Sequence, residues 1–177
     1  MEAIDNAFPI GLPINDPLKQ EELSNGVFDH SGGILDGCVM VVDGFGVQMR
    51  QPFDHEVEHP KDYRFCKGGF AIIVLTGCNI NARFVLLSCT HSGSMNDIIA
   101  WQESNLFESI EVDKELPPQY FVIGNEAFTC SDQMMSPWPG KFFCHFLLLY
   151  HYCNLLTVSI FSQVVVWTVT RIHLITG

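Results

Sequence analysis

The sequence predicts a mixed α/β domain, and three observations carry that expectation. Several short apolar runs rich in β-branched residues end at turn residues, as strands do. Segments with helical character lie before and between them. The chain has 177 residues, of which 47% are apolar, enough for one core and too apolar for a disordered protein.

Residues 1–37 read as an irregular lead-in punctuated by Pro9, Pro13 and Pro17, with one short helix over Leu18–Val27. Cys38 to Asp43 reads as a buried strand that ends in a carboxylate, and Gly44-Phe45-Gly46 reads as a turn into a second extended piece through Arg50. Pro52 to Pro60 is a polar, acidic loop. Gly69–Gly77 and Ala82–Thr90 form an expected antiparallel hairpin, connected by the polar turn Asn79-Ile80-Asn81. Ser94 to Glu103 reads as a helix with Ile98 and Trp101 on one face. Pro117-Pro118 leads into a strand over Gln119–Ile123. Pro137-Trp138-Pro139-Gly140 is a stiff stop. The expected units are therefore 1–37, a folded region 38–141, and a tail 142–177.

Charge narrows the function. Nine Lys and Arg stand against 20 Asp and Glu, a formal charge of −11 and a pI near 4.8. A surface that binds nucleic acid is normally basic, because cations neutralise phosphates and release counterions. The seven cysteines form no CxxC pair and, with His, no zinc-finger spacing. Cys38, Cys78 and Cys89 fall within apolar runs and are expected as small buried hydrophobes. An odd count without a signal peptide suggests a reducing compartment.

Four local patterns are candidates for chemistry. His55-Glu56-Val57-Glu58-His59 spells H-E-x-x-H, which holds zinc only when a helix puts both imidazoles on one face. Pro52 and Pro60 bracket it and it has no apolar stripe, so a solvated loop is expected. Ser94-x-x-Asp97 is a capping-box pattern, in which Ser94 would accept the Asp97 N–H; Asp97 is also a candidate metal ligand. Asp43 ends an apolar run, where a carboxylate is costly unless paired or on a metal. A second apolar run, 82 residues on, ends in the comparable turn Phe121-Val122-Ile123-Gly124-Asn125.

In order along the chain stand Val41-Val42-Asp43-Gly44, Tyr63-Arg64-Phe65-Cys66-Lys67-Gly68-Gly69, His91-Ser92-Gly93-Ser94-Met95-Asn96-Asp97, Leu116-Pro117-Pro118, Phe121-Val122-Ile123-Gly124-Asn125-Glu126-Ala127-Phe128 and Ser136-Pro137-Trp138-Pro139-Gly140. Together, from about Leu23 to Lys141, they resemble the DDE-type nuclease domain of PIF/Harbinger transposases and their transposase-derived relatives. The resemblance implies an RNase H-like core: three antiparallel strands and a parallel fourth beside the first. It implies metal-dependent cleavage of DNA phosphodiesters in the nucleus, with Mg²⁺ or Mn²⁺ as cofactor and DNA as partner. In such a mechanism one metal activates water, the other supports the leaving oxygen, and acids hold both. The first acid falls on Asp43 and the second on the position of Asn125. The third, a glutamate on a helix beyond the Pro-Trp-Pro-Gly turn, has no counterpart. Arg64 and Lys67 are the candidate nucleic-acid contacts, although Cys66 stands where the family usually has Arg. The upstream DNA-binding domain of full-length members has no counterpart in residues 1–37.

These departures imply a truncated, degenerate copy. An amide removes one negative charge and one oxygen, and Mg²⁺ is held poorly by neutral ligands. Glu126 is no substitute, since neighbouring side chains on an extended chain point opposite ways. Weak or absent metal binding and no cleavage are expected. One alternative is a non-enzymatic module that binds a partner protein or DNA. Another is a membrane protein anchored by 142–170, a mostly apolar stretch without Asp, Glu, Lys or Arg and long enough to span a bilayer. The same tail also has the look of translated non-coding sequence, helical in either case.

Overall fold

The structure is a computed structural model that describes residues 11–81 and 83–136. Its first element, α1 (Pro17–His30), starts where Asp16 accepts the Lys19 N–H at 3.2 Å and Pro17 occupies the first turn, a position that needs no N–H donor. Gln20, Leu23, Ser24 and Val27 are buried, one stripe at helical spacing. The helix runs three residues beyond the expected Val27. It stops at Gly32 and Gly33, both left-handed, where the Gly33 N–H reaches back to the Phe28 carbonyl at 2.8 Å.

Among the described residues five strands form one sheet: β1 (Cys38–Met49), β2 (Phe70–Cys78), β3 (Phe84–Ser92), β4 (Phe121–Ile123) and β5 (Met134–Met135), in the order β3-β2-β1-β4-β5. β1–β2 and β2–β3 are antiparallel, and β1–β4 and β4–β5 are parallel. This mixed sheet is the RNase H-like arrangement. The expected hairpin is β2–β3. Leu23, Met40, Val42, Leu75, Trp101, Ile110, Val122 and Met134 share one apolar cluster, so α1 packs into the same core as the sheet.

The expected end of the first strand at Asp43 is corrected. β1 continues unbroken, in register with β2 from Val41↔Cys78 to Met49↔Phe70. β4 ends earlier, opposite Val41. Asp43 therefore lies inside β1, just past the point where its parallel neighbour stops.

Two short helices follow β3. Asp97–Gln102 is α2, and Asn105–Phe107 is α3, which widens into a π-helical turn over Glu108–Val112. The expected cap at Ser94 is also corrected. Asn96 caps α2, its Oδ1 accepting the Ile99 N–H at 3.1 Å, while the Ser94 N–H donates to the Asp62 carbonyl at 2.9 Å. Cys38 and Cys78 are buried as expected, but Cys89, on the edge strand β3, is exposed. The Pro137–Gly140 stop and both readings of the tail lie outside the described residues. Among the described residues no helix is long and apolar enough to cross a membrane.

Candidate active site

Asp43 is presented by β1, whose register is tied locally by the Thr76 hydroxyl donating to the Asp43 carbonyl at 3.2 Å. Its Oδ1 accepts two hydrogen bonds, from the Gly44 N–H at 2.9 Å and from Nδ2 of Asn125 at 2.8 Å. Asn125 sits in the turn that leaves β4. That turn is pinned by the Gly124 N–H on the Met135 carbonyl (2.9 Å) and the Phe128 N–H on the Asn125 carbonyl (3.1 Å), with the Phe128 ring buried beneath. The two positions onto which the resemblance maps the first two acids are thus in direct contact.

The orientation of the Asn125 amide follows from its other bond. Its Oδ1 accepts the Ala127 N–H at 2.7 Å. A backbone N–H can only donate, so Oδ1 must face Ala127 and Nδ2 must face Asp43.

Asp97, the first residue of α2, joins them. Gly44 lies so close to its carboxylate that a Cβ at position 44 would collide with Oδ1. Gly46 is covered in the same way by the ring of Phe65. Glycine inside a strand marks such close approaches, and the alternation Gly44-x-Gly46 was the available signal. Lys67 comes from the loop between Pro60–Tyr63 and β2. There Gly68 and Gly69 are left-handed and the Phe65 N–H closes on the Gly69 carbonyl at 3.1 Å. The ammonium of Lys67 lies 6.0 Å from the Phe65 ring centroid, and its charge acts on both carboxylates. Arg64 is exposed and is bridged to Phe70 through its backbone.

Burial raises the Asp43 carboxyl from 3.8 to about 6. The Asp97 charge adds to the rise, while the Gly44 N–H, the Asn125 amide and Lys67 oppose it. Asp97 is raised by its own burial, against the pull of Lys67 and Asn125. Two carboxylates in one half-buried place disfavour each other's charge.

A divalent metal here needs several oxygen lone pairs converging on one point. Asp43 and Asp97 can offer them. Asn125 instead directs an N–H at Asp43 and has its oxygen engaged elsewhere, and Glu126 is exposed. Among the described residues no group of three or more His, Cys, Asp or Glu is placed to hold a metal. The donor set does not fit a pair of cations.

The H-E-x-x-H segment is a loop, as expected. Glu56 is engaged by the Arg50 guanidinium and by the Phe53 N–H at 2.9 Å, and Arg50 holds its carboxyl down at about 2. The Phe53 and His55 rings stack 5.4 Å apart.

The family description "DDE superfamily endonuclease" matches residues 42–144, more than half of the chain, a span that includes Asp43, Lys67, Asp97 and Asn125. No curated protein and no solved structure matches. By this match and by its sheet, the chain belongs to the DDE superfamily endonucleases.

Proposed function

We propose that the chain is a transposase-derived nuclease domain of the Harbinger type that has lost its chemistry. The ancestral reaction is metal-dependent hydrolysis of DNA phosphodiesters, and the ancestral setting is the nucleus. One observation carries the inactive reading: at the place of the second acid, Asn125 turns an N–H donor toward Asp43. No carboxylate elsewhere among residues 133–177 compensates, since that stretch contains no Asp or Glu.

The intact sheet and its buried core favour a second reading, a non-enzymatic interaction module. The fold is kept where the chemistry is not. With a formal charge of −11, a protein partner suits it better than bare DNA, whose binding would have to survive that repulsion. Retention on immobilised duplex DNA at moderate salt would reverse the preference.

The test is plasmid nicking by the purified full chain with Mg²⁺ or Mn²⁺. The expected result is no relaxed or linear product above background. Nicking that disappears in Asp43→Ala overturns the proposal.

A further inference from the structure

The disagreement between the donor set and a metal pair has a structural consequence. Residue 43 lies in β1 and residue 125 in the turn after β4, and these two parallel strands are hydrogen-bonded only as far as Val41↔Ile123. Beyond that pair the backbone no longer ties β1 to β4. Two acids at this place would repel, and a cation between them would be the link. Here one direct side-chain bond spans the gap, from Nδ2 of Asn125 to Oδ1 of Asp43 at 2.8 Å. It cannot rotate away without abandoning the Ala127 N–H at 2.7 Å. The donor lies where positive charge is needed, between a carboxylate and the turn that leaves β4. Lys67 adds a full positive charge within range of Asp43 and Asp97.

We propose that the carboxamide of Asn125 replaces the bridging cation as the link between β1 and the turn after β4, making this end of the sheet a metal-independent clamp. This deepens the reading of the site as chemically inactive and rests on it. Asn125 acts as a positioning residue.

The experiment is thermal unfolding of the full chain in EDTA and in millimolar Mg²⁺, Mn²⁺ or Ca²⁺. For the native protein the Tm should be the same in all four. A cation held at a hundredfold excess over its Kd would raise it by roughly 5 °C or more. Asn125→Asp should melt several degrees lower in EDTA and recover most of that with any of the three cations. Asn125→Ala should melt lower and recover nothing. If Asn125→Asp does not fold, the native protein and Asn125→Ala still decide the matter.

A native Tm that rises by about 5 °C with metal overturns the inference. So does an Asn125→Asp chain as stable in EDTA as the native one. The two proposals fail separately. A native protein that gains stability from Mg²⁺ yet does not nick DNA refutes the clamp and leaves the loss of activity standing. One that nicks DNA refutes the loss of activity.

Discussion

The carboxylate of Asp97 occupies the space in which a side chain at position 44 would begin. Oδ1, Cγ and Oδ2 of Asp97 are the three atoms nearest to a Cβ built on Gly44. Gly44 follows Asp43 directly and donates its N–H to the Asp43 carboxylate at 2.9 Å. One residue without a side chain thereby lets α2 set a second acid beside the first.

Gly44→Ala should therefore destabilise the protein through Asp97 and not through backbone strain. Overpacking of this kind costs about 1–3 kcal/mol. In an Asp97→Ala background the colliding carboxylate is gone, and the same substitution should cost less by about 1 kcal/mol or more. Urea unfolding of the four proteins in this cycle measures the coupling. Strict additivity would mean that Asp97 does not rest on Gly44.

Stability should fall as pH rises from 3.8 toward about 6. Asp43 keeps its proton in the native state up to about 6, whereas its ordinary value is 3.8. Between those values the native state binds more protons than the unfolded state, so unfolding becomes easier with rising pH. Above about 6 the loss is complete. Asp97, raised by burial, acts in the same direction, and the facing Lys67 and Asn125 are already included in the balance that leaves Asp43 at about 6. Glu56 works oppositely but lower: its carboxyl is held at about 2 against an ordinary 4.5, so its contribution is complete above that value. Asp43→Asn should flatten the decline, because an amide oxygen can still accept from Gly44 and Asn125 without a charge. Urea titrations across this window decide it; a native stability that climbs with pH, or an equal slope in Asp43→Asn, refutes the assignment.

Gly37 should be the least tolerant glycine at the start of the sheet. It has φ +94, its N–H donates to the Ser24 hydroxyl of α1 at 2.9 Å, and its carbonyl accepts the Phe121 N–H of β4 at 3.0 Å. A Cβ there would collide with the Gln119 carbonyl and lie 3.2 Å from the Phe121 ring. The left-handed conformation alone costs an L-residue about 1–2 kcal/mol, and a backbone collision adds to it. Gly32, at φ +69 with nothing within 4 Å of its Cβ, is the control. Gly37→Ala should lose clearly more stability than Gly32→Ala in parallel urea titrations.

Much of this architecture is legible in the residue pattern, for local reasons. β2 and β3 announce themselves because β-branched apolar runs flank a polar turn, and the Asp43–Asn125 contact is readable because both residues follow runs that pair as neighbouring strands. What escapes has a tertiary cause. Gly44 and Gly46 look like a turn in sequence, yet they sit mid-strand, paired with Leu75 and Ile73 of β2, and lack side chains where Asp97 and Phe65 cover them. Ser94 has the right spacing for a cap, but its N–H is drawn to Asp62 and Asn96 takes the role. β5 is two residues long, too short for any periodicity, and is placed by its pairing with β4.

Trp101 should be the residue on which the position of α2, and so of Asp97, most depends. It is 1% exposed and the largest fully buried side chain among the described residues. It meets Phe107 edge-on at 5.9 Å between ring centroids, which locks α2 against α3. The Trp101 carbonyl also accepts the Ser104 hydroxyl at 2.7 Å, and Ser104 Oγ in turn takes the Phe107 N–H at 3.1 Å. Trp101→Ala removes the ring from a closed core and should cost about 3–5 kcal/mol. Trp101→Phe keeps most of the apolar volume and the edge-on partner, and should cost clearly less. The hydroxyl and backbone bonds survive either change, so the difference between the two variants reports packing alone. Denaturant midpoints measure it, and equal losses in both would show that the indole is not what seats the helix.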